Sequence, residues 1–298
     1  MLSSRLQRVA GTARAYFMLT KPRVIELLLV TTVPAMVLAA GKMPSLELIL
    51  AVLLGGALAA GGANTINCWI ERDRDQLMRR THHRPLPRGE IAPHHALVFG
   101  VLLEAAAFGW LWSTANLLSA ALAVSAMLFY VFVYTIWLKP RSTHNIVIGG
   151  AAGAVPVLVG WAAVTGDLAA PAWVMFAIVF CWTPPHFWAL ALRYRDDYAA
   201  AGIPMLPVVK GTAATARQIV VYSGVVVAVT LLLFGVEPMG LVYFVTAVGL
   251  GGAFIWQAVR LAHDATPQRA IKLFMYSNTY LALLFAAIAV DTLIRHAT

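Results

Sequence analysis

NTINCWIERDRDQLMRRTHHRPLPRGE, residues 64–90, begins as the end of an apolar run and becomes the most charged stretch of the chain. Ten of the twenty residues from Glu71 to Glu90 are charged, in a 298-residue chain with only 22 Lys and Arg and 13 Asp and Glu. The break reads as a boundary between two solvents, hydrocarbon before it and water within it. The rest of the sequence agrees. It is 60% hydrophobic and 12% charged, against about 25% charged in soluble domains. Nine stretches of roughly 20 residues are nearly free of charge, the length a helix needs to cross a bilayer. They begin near Val24, Leu46, His95, Leu117, Asn145, Pro171, Arg217, Pro238 and Lys272. No alternating strand pattern of the barrel kind accompanies them. The spacing predicts an all-α polytopic membrane protein of nine transmembrane helices, a single domain over 1–298.

Basic residues choose the orientation. With nine spans, 20 of the 22 Lys and Arg fall on the side of the N-terminal tail and of the loops after helices 2, 4, 6 and 8; Lys42 and Arg295 are the exceptions. The positive-inside rule then makes the N-terminus cytoplasmic, with residues 1–23 a basic cytoplasmic tail. That tail lacks the short apolar core and cleavage site of a signal peptide. The expected location is the bacterial inner membrane, with the mitochondrial inner membrane as the alternative. The net charge of +9 suits anionic lipid, and no nucleic acid is required to explain it. Cys68 and Cys181 lack metal or disulfide spacing and read as packing residues.

Sorting of positive charge has no use for carboxylates, yet Glu71, Asp73, Asp75 and Glu90 crowd the loop after helix 2, and Asp196 and Asp197 the loop after helix 6. Asn67, Glu71 and Asp75 are spaced i, i+4, i+8, so a helix presents all three on one face. Oxygen ligands in that array suit Mg²⁺, which is commonly held by one or two carboxylates together with substrate phosphates. Arg72, Arg74, Arg79, Arg80 and Arg84 surround them, and arginine makes bidentate contacts to phosphate. Acids for the metal beside arginines for the anion read as a diphosphate clamp.

The second acidic loop follows FCWTPPHFWALALRYRDDYAAAGIPMLPVVKG, residues 180–211. Pro184 and Pro185 are expected to kink or break the helix. His186, Arg193 and Asp197 then share a face beyond the break, and Arg193 and Lys210 would extend the diphosphate contacts. His186 is a general base, an axial contact to haem iron, or a partner of carbonyls that the prolines leave free.

The pattern Asn67-x-x-x-Glu71-x-x-x-Asp75, followed by Arg80-Thr81-x-x-Arg84-Pro85-Leu86-Pro87-x-Gly89, resembles the first signature of the UbiA-type intramembrane prenyltransferases. LTKPRV (19–24), STHNIVIGGAAGAVP (142–156), GWAAVTG (160–166) and WTPPHFWALAL with DDYAAAGIPMLPVV (182–209) are similar to its haem-farnesylating branch. The resemblance runs from about residue 16 to residue 295. It implies nine helices around a central cavity, Mg²⁺, and transfer of a farnesyl group from farnesyl diphosphate to a vinyl group of haem B, which is substrate and not prosthetic group. It also implies a haem A synthase-type monooxygenase as a downstream partner. Carried over, Asn67, Glu71 and Asp75 take the first metal positions and Asp196 and Asp197 the second, with one or two ions left open. Glu71 stands where the family usually has aspartate. An aromatic acid or quinone precursor is the alternative acceptor. A haem carrier, the rival outside enzymology, would have no use for a diphosphate clamp.

Overall fold

The computed structural model describes residues 2–297; the side chains of residues 2–9, 23, 24 and 26–29 lie outside the described residues, among them Arg5, Arg8 and Arg23 of the basic tail. The described chain is helical throughout. Helix α1 (Leu2–Leu19) leads into α2 (Pro22–Ala40), α3 (Leu46–Asp75), α4 (Pro93–Thr114) and α5 (Leu117–Leu128), which continues as a π-helix over Phe129–Leu138. Then follow α6 (Asn145–Thr165), α7 (Ala170–Arg193), the short α8 (Arg195–Ala200) and α9 (Leu206–Val209), and α10 (Gly211–Val236), α11 (Leu241–His263) and α12 (Pro267–Ala297).

Eight of these helices are long and apolar enough to cross a membrane. They match eight of the nine expected spans. The remaining one, first in the chain, falls on α2, whose segment Val30–Ala40 is apolar. The region read as a basic tail is itself helical as α1. Its second half is anchored: Ala15 and Leu19 pack with Cys68, Leu86, Ile91 and Ala96, and the rings of Tyr16 and Phe99 meet edge-on at 5.0 Å.

Helix ends follow local chemistry. Ser45 caps α3 by accepting from the Leu48 N–H at 3.2 Å, and Asn116 caps α5 by accepting from the Ser119 N–H at 2.9 Å, each satisfying a donor the first turn leaves unpaired. The outward faces stay apolar, with Val98, Val101, Leu102, Val221, Leu232 and Val245 exposed, as hydrocarbon rather than water requires. Between helices, small residues allow close approach. A Cβ on Gly160 would lie 2.7 Å from the Thr32 carbonyl oxygen, so only glycine fits where α6 crosses α2.

Of the kink or break expected at the prolines, the break does not occur. Pro184 and Pro185 do not end their helix; α7 runs unbroken from Ala170 to Arg193 with both inside it. A proline removes one donor and crowds the preceding turn, but α7 is packed chiefly against α6, α10 and α12. Those neighbours hold the backbone where an isolated helix would yield. The chain turns later, at Tyr194, so Asp196 and Asp197 sit on α8 and not on the helix of His186.

Candidate active site

The last turns of α3 carry the cluster. Asn67, Glu71 and Asp75 are all buried on one face, while Asp73, on the other side, has a side chain 78% exposed. The i, i+4, i+8 reading therefore describes the real geometry. Burying two carboxylates is costly unless each is paired, and each is. Lys139, just past the π-helix, makes an ion pair with Glu71. Arg84 donates from Nη1 to Asp75 Oδ2 at 2.7 Å. Asn67 accepts at Oδ1 from Lys21 Nζ at 2.7 Å and donates from Nδ2 to Thr135 Oγ1 at 3.0 Å. Two residues four apart on α3, Asn67 and Glu71, thus face two residues four apart on the neighbouring segment, Thr135 and Lys139.

The loop after α3 folds back on the same turns. Thr81 is fully buried and donates to the Asp75 carbonyl at 3.0 Å, which brings Arg84 within reach of the carboxylate. Burial works against the Arg84 and Lys139 cations, but the surrounding partners, Asp75 foremost for Arg84 and Glu71 for Lys139, together outweigh it, so both are held above their ordinary ranges. Lys21 goes the other way, its burial drawing the ammonium below its usual value despite Glu71 nearby.

The two acidic loops meet. The Arg80 N–H donates to Asp197 Oδ2 at 3.1 Å, and the Arg80 guanidinium lies over the rings of Tyr194 and Tyr198 at 5.8 and 5.9 Å. Asp197 thus holds the backbone of the first loop. Among the described residues, no three of His, Cys, Asp and Glu gather closely enough to form a protein-only metal cage. Asp196, Arg79, Arg193 and Lys210 are exposed. Arg72 turns to the Trp69 carbonyl at 2.8 Å and pairs loosely with Asp73 at 3.8 Å, away from the buried face.

A divalent cation held partly by substrate oxygens fits what is present. The donors are oxygens, and Asp75 Oδ1 is buried with no hydrogen-bond partner, an orphaned acceptor of the kind that calls for an explanation. Asn67, Glu71 and Asp75 are the residues that would hold it.

His186 occupies a separate buried site, its ring between Trp182 and Phe274 at centroid distances of 4.2 and 4.4 Å. The Ser277 hydroxyl donates to the Phe274 carbonyl at 2.6 Å, so its oxygen accepts from His186 Nδ1 at 2.7 Å. That assigns the proton to Nδ1 and the lone pair to Nε2. His186 binds Ser277 and not the carbonyls freed by the prolines.

Sequence reasoning missed Lys21, Lys139, Thr135 and Ser277. The two lysines had registered only as topogenic charge. Lys139 at the end of an apolar run, and Lys21 before a proline, were the available signals.

The arrangement can hold a diphosphate and a divalent cation at the end of α3. The chain is 51% identical over 300 residues to a protoheme IX farnesyltransferase of Clavibacter sepedonicus, covering 98% of each. It is 53% identical over 282 residues to one from Nostoc, covering 94% of this chain and 89% of the other. A digeranylgeranylglyceryl phosphate synthase superposes with a TM-score of 0.78 at 16% identity, over 95% of this chain and 99% of the other. A UbiA homologue from Archaeoglobus fulgidus, solved with DMAPP and Mg²⁺, gives 0.64 at 18% identity over 92% and 99%. The model of the UbiA prenyltransferase family matches residues 28–284, and the chain belongs to that family.

Proposed function

We propose that this protein transfers the farnesyl group of farnesyl diphosphate to a vinyl group of haem B, with addition of water, giving haem O and diphosphate for haem–copper oxidases. One observation supports the donor half. Asn67, Glu71 and Asp75 form a buried oxygen array ringed by Lys21, Lys139 and Arg84, which suits an anion and a cation together. The acceptor half rests on the relatives named protoheme IX farnesyltransferase, at 51–54% identity over most of the chain.

In this reading Lys21, Lys139 and Arg84 receive the diphosphate, with Arg80 and the exposed Arg79, Arg193 and Lys210 available at the entrance; Arg72, expected among the diphosphate contacts, faces away from it. A bound Mg²⁺ on Asn67, Glu71 and Asp75 supplies Lewis-acid neutralisation of the leaving group. Lys21, Lys139 and Arg84 do the same once they face the diphosphate, in a site that holds little water. As the C1–O bond breaks, its electron pair leaves with diphosphate and C1 takes on allylic cation character. The terminal vinyl carbon of haem B attacks C1, forming the C–C bond and moving the positive charge to the carbon beside the porphyrin ring. Water adds there and loses a proton, leaving a hydroxyethylfarnesyl group. His186, with its lone pair at Nε2, is suited to orient haem or to accept that proton. Asp197 holds the second loop to the first through the Arg80 N–H. The enzyme works in the bacterial inner membrane, and a haem A synthase-type monooxygenase takes the product.

The test is mass spectrometry of haem recovered after incubating the purified protein in lipid with haem B, farnesyl diphosphate and Mg²⁺. A gain of one farnesyl and one water that needs Mg²⁺ is the expected result. Unchanged haem with diphosphate still released would point to an aromatic acceptor, and neither change would remove the enzymatic reading.

A further inference from the structure

Each of the three candidate metal ligands on α3 is already held by its own basic side chain, and the three come from different parts of the chain. Lys21 precedes α2, Lys139 follows the π-helix, and Arg84 lies in the loop after α3. All three acceptors are buried, so these are not the screened surface pairs that contribute little. Lys21 also has φ 54°, the one left-handed non-glycine backbone among the described residues. A strained residue persists where its surroundings fix it; here that conformation, just before Pro22, accompanies an ammonium bonded to Asn67.

Charge decides what such a cluster can bind. Two carboxylates against three cations leave one net positive charge. A divalent cation arriving alone would add two more in a buried site. It would also displace Lys139 and Arg84 from Glu71 and Asp75 with no acceptor to receive them, the situation that makes a broken buried pair costly. A fully ionised prenyl diphosphate carries three negative charges and offers oxygens to those same donors. With diphosphate and divalent cation together, the cluster comes to neutrality and each displaced cation finds a partner.

We propose that Lys21, Lys139 and Arg84 are exchangeable counter-cations. They hold the ligand oxygens of α3 while the site is empty and transfer to the diphosphate as the metal takes Asn67, Glu71 and Asp75. Lysine suits such a transfer, with three donors on a flexible stem, and Arg84 offers a fork that fits phosphate. The proposal rests on the diphosphate-clamp reading and deepens it. Metal and diphosphate bind with strong positive coupling, and by linkage each raises the affinity for the other by the same factor. The unpartnered Asp75 Oδ1 is where the metal makes its first protein contact.

The experiment is Mn²⁺ titration of the full-length protein in lipid nanodiscs, followed by electron paramagnetic resonance. It is run without and with inorganic diphosphate, against a protein-free Mn²⁺–diphosphate baseline. The wild type should bind Mn²⁺ weakly alone and at least about tenfold more tightly with diphosphate. In Lys139→Gln, Mn²⁺ alone should bind about tenfold more tightly than in wild type, and the enhancement by diphosphate should shrink; Lys139→Arg should behave as wild type. If Lys139→Gln does not fold, Lys21→Gln, which removes only a bond to a neutral amide, should shift both quantities in the same directions. Tight binding of Mn²⁺ alone by the wild type, or unchanged affinity in folded variants, overturns the exchange and leaves the clamp standing. No Mn²⁺ binding even with diphosphate overturns the clamp as well.

Discussion

Asp75 and Asp73 are two residues apart, carry the same carboxylate, and sit on opposite faces of α3, so the same substitution at each separates site from surface. Asp75 has a side chain 1% exposed and accepts from Arg84 at 2.7 Å; Asp73 is 78% exposed and lies 3.8 Å from Arg72. Asp75→Asn keeps shape and volume but removes the charge. A hydrogen bond to a charged group is worth about 1.5–3 kcal/mol. The Arg84 side chain is 21% exposed and can recover some hydration, so the stability loss should fall near the lower end, a drop of a few degrees in melting temperature. Activity should fall much further. Removing one preorganised group at a site of developing charge costs about 10²–10³ in rate, and Asp75 is both the metal ligand and the anchor of Arg84. Asp73→Asn disturbs a surface pair worth about 0–1 kcal/mol and should stay within about twofold of wild type. Initial rates of diphosphate release, with haem O measured by mass spectrometry, read both variants. An Asp75→Asn enzyme within about tenfold of wild type would refute the assignment, and so would a comparable loss in Asp73→Asn.

Three further outcomes follow from other parts of the molecule. Chelation of divalent metal should stop farnesyl transfer and leave the absorption change on haem addition intact, since His186 and α3 are separate sites; a parallel loss of haem binding would join them. Ser277→Ala removes the acceptor that keeps the His186 proton on Nδ1, and titration with haem should show at least about tenfold weaker binding, the scale of losses when a histidine's orienting partner is removed. Unchanged haem affinity there would take His186 out of the haem site. Gly160→Ala places a Cβ 2.7 Å from the Thr32 carbonyl oxygen, and such overpacking costs about 1–3 kcal/mol, so the thermal transition should move down by several degrees; an unmoved transition would mean that α2 and α6 can separate freely.

The fold was legible because the bilayer is a simple solvent. Runs of apolar residues near 20 long have one stable solution there, a helix that satisfies its own backbone. Even so, a local rule misled at Pro184 and Pro185. Proline weakens a helix that must hold itself together, whereas α7 is held chiefly by α6, α10 and α12, and packing of that kind is invisible in the residues on either side. The acid face was legible for the opposite reason: Asn67, Glu71 and Asp75 lie on one helix, so periodicity alone brings them together. Which arginines join them was not. Arg72 and Arg84 are the same residue type beside the same acids, but Arg72 points off the far side of α3, and Arg84 returns only because the loop closes through Thr81.

Lys139 was hidden by geometry as well as by distance. Its partner Glu71 is far off in sequence, but the larger obstacle is the π-helix between them. In an α-helix each residue advances about 100°; with i→i+5 bonds the step falls to about 80°. Over the ten residues Phe129–Leu138 the difference comes to about half a turn. The α-period of Leu117–Leu128, extended forward, therefore aims Lys139 at nearly the opposite face from the one it occupies. The bond from the Lys139 N–H to the Tyr134 carbonyl at 2.8 Å shows the wider turn persisting to the end of the segment. By that rotation Thr135 and Lys139 reach Asn67 and Glu71 from inside the bundle. Wide turns of this sort are rare and concentrate at functional sites. Here the wide turn has a definite use, since without it Glu71 would lose the one cation that contacts it directly.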